Sequence, residues 1–384
     1  MYSDLASYYN RWYHDRPVLI GPARCEELRT LHAVLLKCAH YFIREWRNYL
    51  PLGRRESDIL AEQEHYPLRL GTWRPDYILC TDGSLRLCEI TSRFFGHGIF
   101  MSWFGHQLSC RFMSSFPGVE WRDGFDPMMQ RMLDITGGRR RMYVFKSADR
   151  TCEIRLYKRF YESHGLQVTV LEAPEVEARM DEWAQPDCFL VGALNQADIM
   201  SMSDRTLQAM MEGGIYSDMR NVFVLHDKRF MKFWSDDSFT SACLTPSEAA
   251  ILRAHAIPTF EAADMLPRLR ADKDAWILKP WRLGKSEGVH AGPFTPADEW
   301  NLLLEGAGGC IVQPFIQQKT FPCTWEGQHF DDYICGMMIC IDDDYFESGF
   351  FRCSSFPVTN VVDDRKAPVI FGASSVIEPY CDVL

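Results

Sequence analysis

Apolar residues at positions 28, 31, 35, 38, 42 and 46 recur at three- and four-residue steps, with charged residues between them. That spacing predicts a helix through residues 21–50, closed by Pro51 and Gly53. The period then shortens to two. Residues 77–80 and 85–90 flank Thr81, Asp82 and Gly83, which predicts a β-hairpin. Strict alternation puts Leu85, Leu87 and Glu89 on one face and Arg86, Cys88 and Ile90 on the other. The Gly- and aromatic-rich stretch 94–103 reads as a loop and helix start that lines a pocket. Farther on, apolar 142–145, amphipathic 152–161, a stop at His164 and Gly165, and apolar 167–171 spell strand, helix, strand. Such a βαβ unit implies a parallel sheet. Residues 188–191 and 222–225 read as further strands, and 227–275 as charged helices. Residues 276–279, 289–292, 310–315, 333–341 and 345–352 read as a mostly antiparallel sheet, with a turn at Asp342–Asp344. The fold class is therefore α/β (α+β). The chain divides into an N-terminal helical segment (1–70), a hairpin and pocket region (71–140), a βαβ domain (141–220) and a final region (221–384).

Composition narrows the function. The chain has 384 residues, 47% hydrophobic and 24% charged, ordinary for a globular enzyme with a large core. A net charge of −11 argues against a nucleic-acid partner. No apolar run nears the roughly 18 residues of a membrane span. The first residues lack the basic region and apolar core of a secretory signal. Fourteen cysteines are scattered without a C-x2-C pair, which opposes a zinc site and reads as reduced thiols in a cytoplasmic protein.

Candidate chemistry begins at the Gly-rich segment after Lys279 and Pro280. Gly284, Lys285, Ser286 and Gly288 form a loop between two apolar stretches. Glycines admit phosphate oxygens close to backbone N–H groups, and lysines add charge. The loop reads as a lid over a nucleotide triphosphate; it lacks the Walker A spacing. A plain hairpin with a basic tip is the alternative. Upstream, Arg74 and Asp76 stand two apart on one strand, and Glu89 and Thr91 two apart on its partner. Asp76, Glu89 and the Thr91 hydroxyl offer an all-oxygen Mg2+ site, and the Arg74 fork suits a carboxylate or a developing acyl phosphate. The alternative is an Arg–Asp surface pair beside a solvated Glu. Glu89, however, lies in too apolar a run for a solvated charge and needs a partner.

Three further positions carry charge or hydrogen-bonding capacity beside apolar runs. Lys228 stands at a helix start, where a cation opposes the helix dipole; a phosphate contact or plain solvation are its two readings. Gln313 and the backbone beyond it can meet an adenine edge, with Phe315 and Ile316 as apolar walls, or simply end a core strand. Arg352 ends an apolar strand and needs an anion, either a triphosphate or Glu347 or Asp363.

In this order, these residues resemble the circularly permuted ATP-grasp ligases, in particular the synthetase domain of glutathionylspermidine synthase. Arg74 and Asp76 match the family's Arg-x-Asp strand and Glu89 its glutamate, with Thr91 in place of its asparagine. Lys228 and Lys279 match its two nucleotide lysines, Gln313 its hinge position and Arg352 its late phosphate-binding arginine. The resemblance implies an ATP-grasp fold with an antiparallel nucleotide-binding sheet and a pre-ATP-grasp-like βαβ domain. It implies ATP and Mg2+ as cofactors, and an ADP-forming ligase that joins a small-molecule carboxylate to an amine through an acyl phosphate. A small-molecule kinase and a non-catalytic nucleotide-binding protein are the other classes. The family's amidase half has no counterpart. Ser92, Arg93 and His97 are candidate substrate contacts.

Overall fold

The computed structural model describes residues 1–148 and 153–384. After strand β1 (Val18–Ile20), the long helix Pro22–Arg44 buries Leu28, Leu31, Leu35, Cys38 and Phe42, the stripe its periodicity marks. Proline in its first turn forfeits only an N–H that has no helical partner. A 3-10 turn, Trp46–Asn48, follows.

Strands β2 (Thr72–Leu79) and β3 (Leu85–Thr91) form the expected antiparallel hairpin. Its register contains a bulge: Asp76 pairs with Glu89, but Tyr77 pairs with Leu87, leaving Cys88 as an extra residue. The bulge overturns the simple alternation. Leu85, Leu87 and Ile90 enter the main core, whereas Glu89 and Thr91 stand opposite Asp76 and Arg74 and share their face.

Strands β4 (Arg141–Lys146), β5 (Gln167–Glu172) and β6 (Cys188–Ala193) form a parallel sheet in the order β5-β4-β6. The crossover helix is Ile154–Ser163; Cys152, the expected start, lies outside the described residues. A four-stranded antiparallel sheet follows, order β7-β10-β8-β9, from β7 (Phe260–Glu261), β8 (Trp276–Pro280), β9 (His290–Ala291) and β10 (Cys310–Pro314). Leu278, Val312, Leu269 and Trp300 form its own small core.

The remaining strands are β11 (Thr320–Trp325), β12 (Gln328–Met337), β13 (Ile339–Ile341), β14 (Asp344–Phe346), β15 (Phe350–Ser354), β16 (Arg365–Phe371) and β17 (Asp382–Val383). They join the first hairpin in one large sheet, ordered β14-β13-β2-β12-β15-β16-β1-β17, with β3 on β2 and β11 on β12.

Three expectations need correction. The strands of 276–350 belong to two sheets rather than one. The stretch 333–341 breaks at Met338, opposite Pro75, because proline has no N–H for the ladder; β12 pairs with β2 on one side of the break and β13 on the other. Finally, 222–225 is no strand: Asn221–Leu225 is a fully buried π-helical turn in the main core. The hairpin and the C-terminal strands also pack closely. Gly336 lies over Tyr77, and a Cβ there would sit 2.2 Å from the ring.

Candidate functional site

Asp76 lies at the centre of the large sheet and is 0% exposed. Arg74 grips it with both arms of its fork, Nε to Oδ1 at 2.6 Å and Nη2 to Oδ2 at 2.9 Å. Arg352 donates a further hydrogen bond to Oδ2 through Nη2. Sheet registry explains this meeting: Arg352 pairs with Cys335, and Cys335 with Ile78, one step along the face that carries Asp76. Burial opposes the charge on Arg352, but Asp76, together with Cys335 and Glu89, outweighs it and raises the pKa. With its amide turned to the orientation that satisfies both of its neighbours, Asn360 accepts from Arg352 Nη1 at 2.9 Å. The carboxylate of Asp76 is thus the counterion of two arginines, the bidentate geometry that guanidinium favours. Neither of the sequence alternatives, Glu347 or Asp363, is the partner of Arg352; Glu347 pairs with Arg29 and Arg122, and Asp363 with Arg365.

Glu89, opposite Asp76, meets different cations. Its Oε1 is 3.0 Å from Lys228 Nζ. Burial alone would raise its pKa, but Lys228 and then Lys279 outweigh that and hold it at about 2. Lys228 opens the 3-10 helix Lys228–Ser235, capped by Asp227, whose carboxylate accepts from Arg229 N. Lys279, on β8, donates to Cys88 O at 3.0 Å and to Gln313 Oε1 at 2.8 Å. Burial lowers its pKa, although Cys88 and Glu89 oppose the effect. The Gln313 side chain is 1% exposed, and its Nε2 donates to Thr259 Oγ1 at 2.9 Å. Its amide therefore positions Lys279, with its oxygen on Lys279 and its nitrogen on Thr259.

Glu89, Lys228, Lys279, Gln313 and Arg352 line one cleft with Phe315, Ile316, Leu283 and Ser286. The Gly-rich loop roofs it. Lys285 and Ser286 both take left-handed backbone conformations, φ 55° and 61°. Gly288 has φ 66°, and a Cβ there would meet Pro280 Cγ at 2.8 Å, so glycine is required. Ser286 Oγ donates to Thr359 O at 2.6 Å, and Lys228 Nζ to Leu283 O at 2.5 Å. These contacts hold the roof down, and the free volume beneath is only about 80 Å3. A nucleotide site normally needs several hundred Å3, more than this cleft holds.

A second cavity of about 600 Å3 adjoins the first, and Glu89 and Arg352 line both. Arg74, Thr91, His97 and Lys285 are in its wall. So are several residues the sequence reading missed: Tyr8, Tyr9, Trp12, Glu153, Tyr157 and Lys366. Glu153 accepts backbone hydrogen bonds from Gly98 (2.8 Å) and Met101 (3.2 Å). Burial raises its pKa, moderated by those two N–H groups. A carboxylate at an apolar helix start was the signal available; its meeting with the N-terminal aromatics was not. Burial, and then Arg74, drives the His97 pKa well down. Ser92 and Arg93, the other substrate candidates, are packed behind the wall: Ser92 N donates to His226 Nδ1 at 3.4 Å, and Arg93 lies 3.9 Å over the Phe94 ring.

Comparison with known proteins adds family and fold. A family described as the AnkG N-terminal domain matches residues 31–224, half of the chain. The chain belongs to the AnkG N-terminal domain family. Among curated proteins, none matches the sequence. Among solved structures, a glutathione synthetase-like effector from Globodera pallida, solved in its apo form, superposes with a TM-score of 0.62 at 10% identity; the match covers 93% of this chain and 90% of that one. The chain thus has a glutathione synthetase-like, ATP-grasp-like α/β fold. Within it, the AnkG N-terminal domain match contains Arg74, Asp76, Glu89 and Glu153, whereas Lys228, Lys279 and Arg352 lie beyond it. Acids from the matched half therefore meet cations from the rest. No helix among the described residues is long and apolar enough to cross a membrane.

Proposed function

We propose that this protein is an ATP-dependent carboxylate–amine ligase that releases ADP and phosphate, similar in its ordered motifs to the synthetase domain of glutathionylspermidine synthase. The observation that carries this reading is the shared wall: Glu89 and Arg352 line both the loop-roofed cleft and the aromatic cavity. A γ-phosphate held by Lys228, Lys279 and Arg352 would then face an acid held near Arg74. The donor set fits a magnesium ion carried on the triphosphate. Glu89 is ionised and half-buried at the junction, and Mg2+ commonly takes one or two carboxylates with phosphate oxygens and water. Thr91 is a further oxygen nearby. Asp76 has both oxygens on arginines, so its part is to hold Arg74 and Arg352 in place. The ion would neutralise phosphate charge.

Substrate chemistry follows from positioning and electrostatics. A substrate carboxylate oxygen bonds to the γ-phosphorus as the bond to ADP breaks. The amine nitrogen then attacks the acyl carbon, phosphate leaves with the bonding electrons, and the amine gives up a proton. Arg74 and Arg352 stabilise the negative charge in the first step. The lowered loop keeps water from the acyl phosphate. The test is product analysis with a panel of acids and amines. ADP and phosphate are expected, and Glu89→Gln or Lys279→Ala should abolish their release; AMP and pyrophosphate would overturn the route.

One observation favours a second reading, nucleotide binding without turnover. The guanidinium grip on Asp76 leaves Glu89 as the ionised carboxylate facing the cleft. Tight ATP binding with no ADP release across the panel would support it. A stable phosphorylated product formed without an amine would instead indicate a small-molecule kinase.

A further inference from the structure

We propose that the 600 Å3 cavity is a binding site for a free amino acid with an aromatic side chain, its ammonium on Glu153 and its carboxylate on Arg74. The claim rests on the ligase reading only for what becomes of the carboxylate; binding itself stands apart from it.

Three observations converge. First, Glu153 is a carboxylate in an apolar wall whose two oxygens each accept a backbone N–H, and no described cation pairs with it. A partly buried carboxylate with no cation in contact, only the more distant charges of Arg74 and Lys366, gains from a positive partner, and an ammonium entering the cavity supplies one. Burial raises the Glu153 pKa while this partner is missing, in line with the geometry. Second, one peptide group separates the acid from the base. Arg74 Nη1 donates to His97 O at 2.9 Å, and the next residue, Gly98, donates its N–H to Glu153 at 2.8 Å. Opposite charges one peptide group apart suit a zwitterion whose ammonium and carboxylate share one carbon. Third, Tyr8, Tyr9, Trp12, Phe94, Phe95 and Tyr157 bring six aromatic rings to the wall, beside the charged Glu89, Lys285, Arg352, Asp364 and Lys366. Aromatic faces favour both an aromatic side chain and an adjacent cation. The volume lies within the range of small-ligand sites. It leaves room beside Glu89 and Arg352 for a second substrate.

The test is calorimetric titration of the full chain with L-tryptophan, tryptamine, which lacks the carboxylate, and indole-3-propionate, which lacks the ammonium. L-Tryptophan should bind, and each truncated analogue should bind at least about tenfold more weakly, the scale of one charge-assisted hydrogen bond. Glu153→Gln should weaken L-tryptophan and tryptamine by about tenfold and leave indole-3-propionate unchanged. Should that variant fail to fold by circular dichroism, the analogue series on the wild type decides. Absence of L-tryptophan binding, equal binding of the three ligands, or unchanged L-tryptophan affinity in a folded Glu153→Gln would each overturn the proposal. ADP release with other acids, without L-tryptophan binding, would sink this inference and leave the ligase reading standing. L-Tryptophan binding without ADP release would do the reverse.

Discussion

Replacing Asp76 with Asn separates a structural counterion from a metal ligand. Asp76 is 1% exposed at its side chain, and Arg74 and Arg352 are 12% and 14% exposed. Asparagine keeps the shape but removes the charge, and its amide turns a donor toward a guanidinium. Hydrogen bonds to charged groups contribute about 1.5–3 kcal/mol each, and breaking a buried ion pair costs about 3–5 kcal/mol. Both arginines retain some solvent access and other partners, since Arg74 keeps His97 O and Arg352 keeps Asn360. The loss should therefore fall near the lower end, about 3 kcal/mol. Urea unfolding followed by tryptophan fluorescence, comparing midpoints at a common slope, measures it. A loss under about 1 kcal/mol would refute the counterion assignment. If stability were unchanged while the Mg2+ concentration for half-maximal ADP release rose about tenfold, Asp76 would be a metal ligand instead.

Glu89, held at about 2 against an ordinary 4.5, contributes stability that is complete above about pH 4.5 and lost as pH falls toward 2. The displacement corresponds to roughly 3 kcal/mol, so melting curves between pH 6 and 3 should fall more steeply for wild type than for Glu89→Gln; parallel curves would refute the pairing with Lys228 and the influence of Lys279. Gln313→Leu removes an acceptor from Lys279 and should weaken ATP binding by about 1–3 kcal/mol, leaving the preference for adenine over guanine nucleotides unaltered in competition titrations. Loss of that preference would return Gln313 to base recognition. Gly288→Ala forces a side chain at φ 66° against Pro280. It should cost the closed loop about 1–3 kcal/mol, seen as faster tryptic cleavage at Lys285 and a higher KM for ATP; unchanged cleavage would mean the loop relaxes at no cost.

Periodicity alone delivers the long helix Pro22–Arg44, the hairpin of β2 and β3, and the parallel βαβ unit, because each buries one face against a core and local spacing records that face. It also marks Glu89 and Arg352 as charges set in apolar runs, which need partners. Local pattern does not say which partners. Strict alternation would leave Glu89 with Leu87 on the core face, and the bulge at Cys88 reverses this. No spacing along the chain shows that Arg352 reaches Asp76, since β12 lies between their strands in the sheet. Nor does it bring Glu153 to the backbone of Gly98 beside the N-terminal aromatics.

The amino-acid order thus determined most of the helical and extended segments, 222–225 excepted, and that Glu89 and Arg352 could not stand alone, since these depend on neighbours a few residues away. Tertiary structure decided the partners. It gave Asp76 to two arginines and Glu89 to Lys228 with the charge of Lys279 nearby, committed Gln313 to Lys279, and set a larger cavity with aromatic residues in its wall beside a smaller cleft. The physical reason is that the energy of a buried charge depends on what lies within a few ångströms in space, and here those neighbours come from opposite ends of the chain.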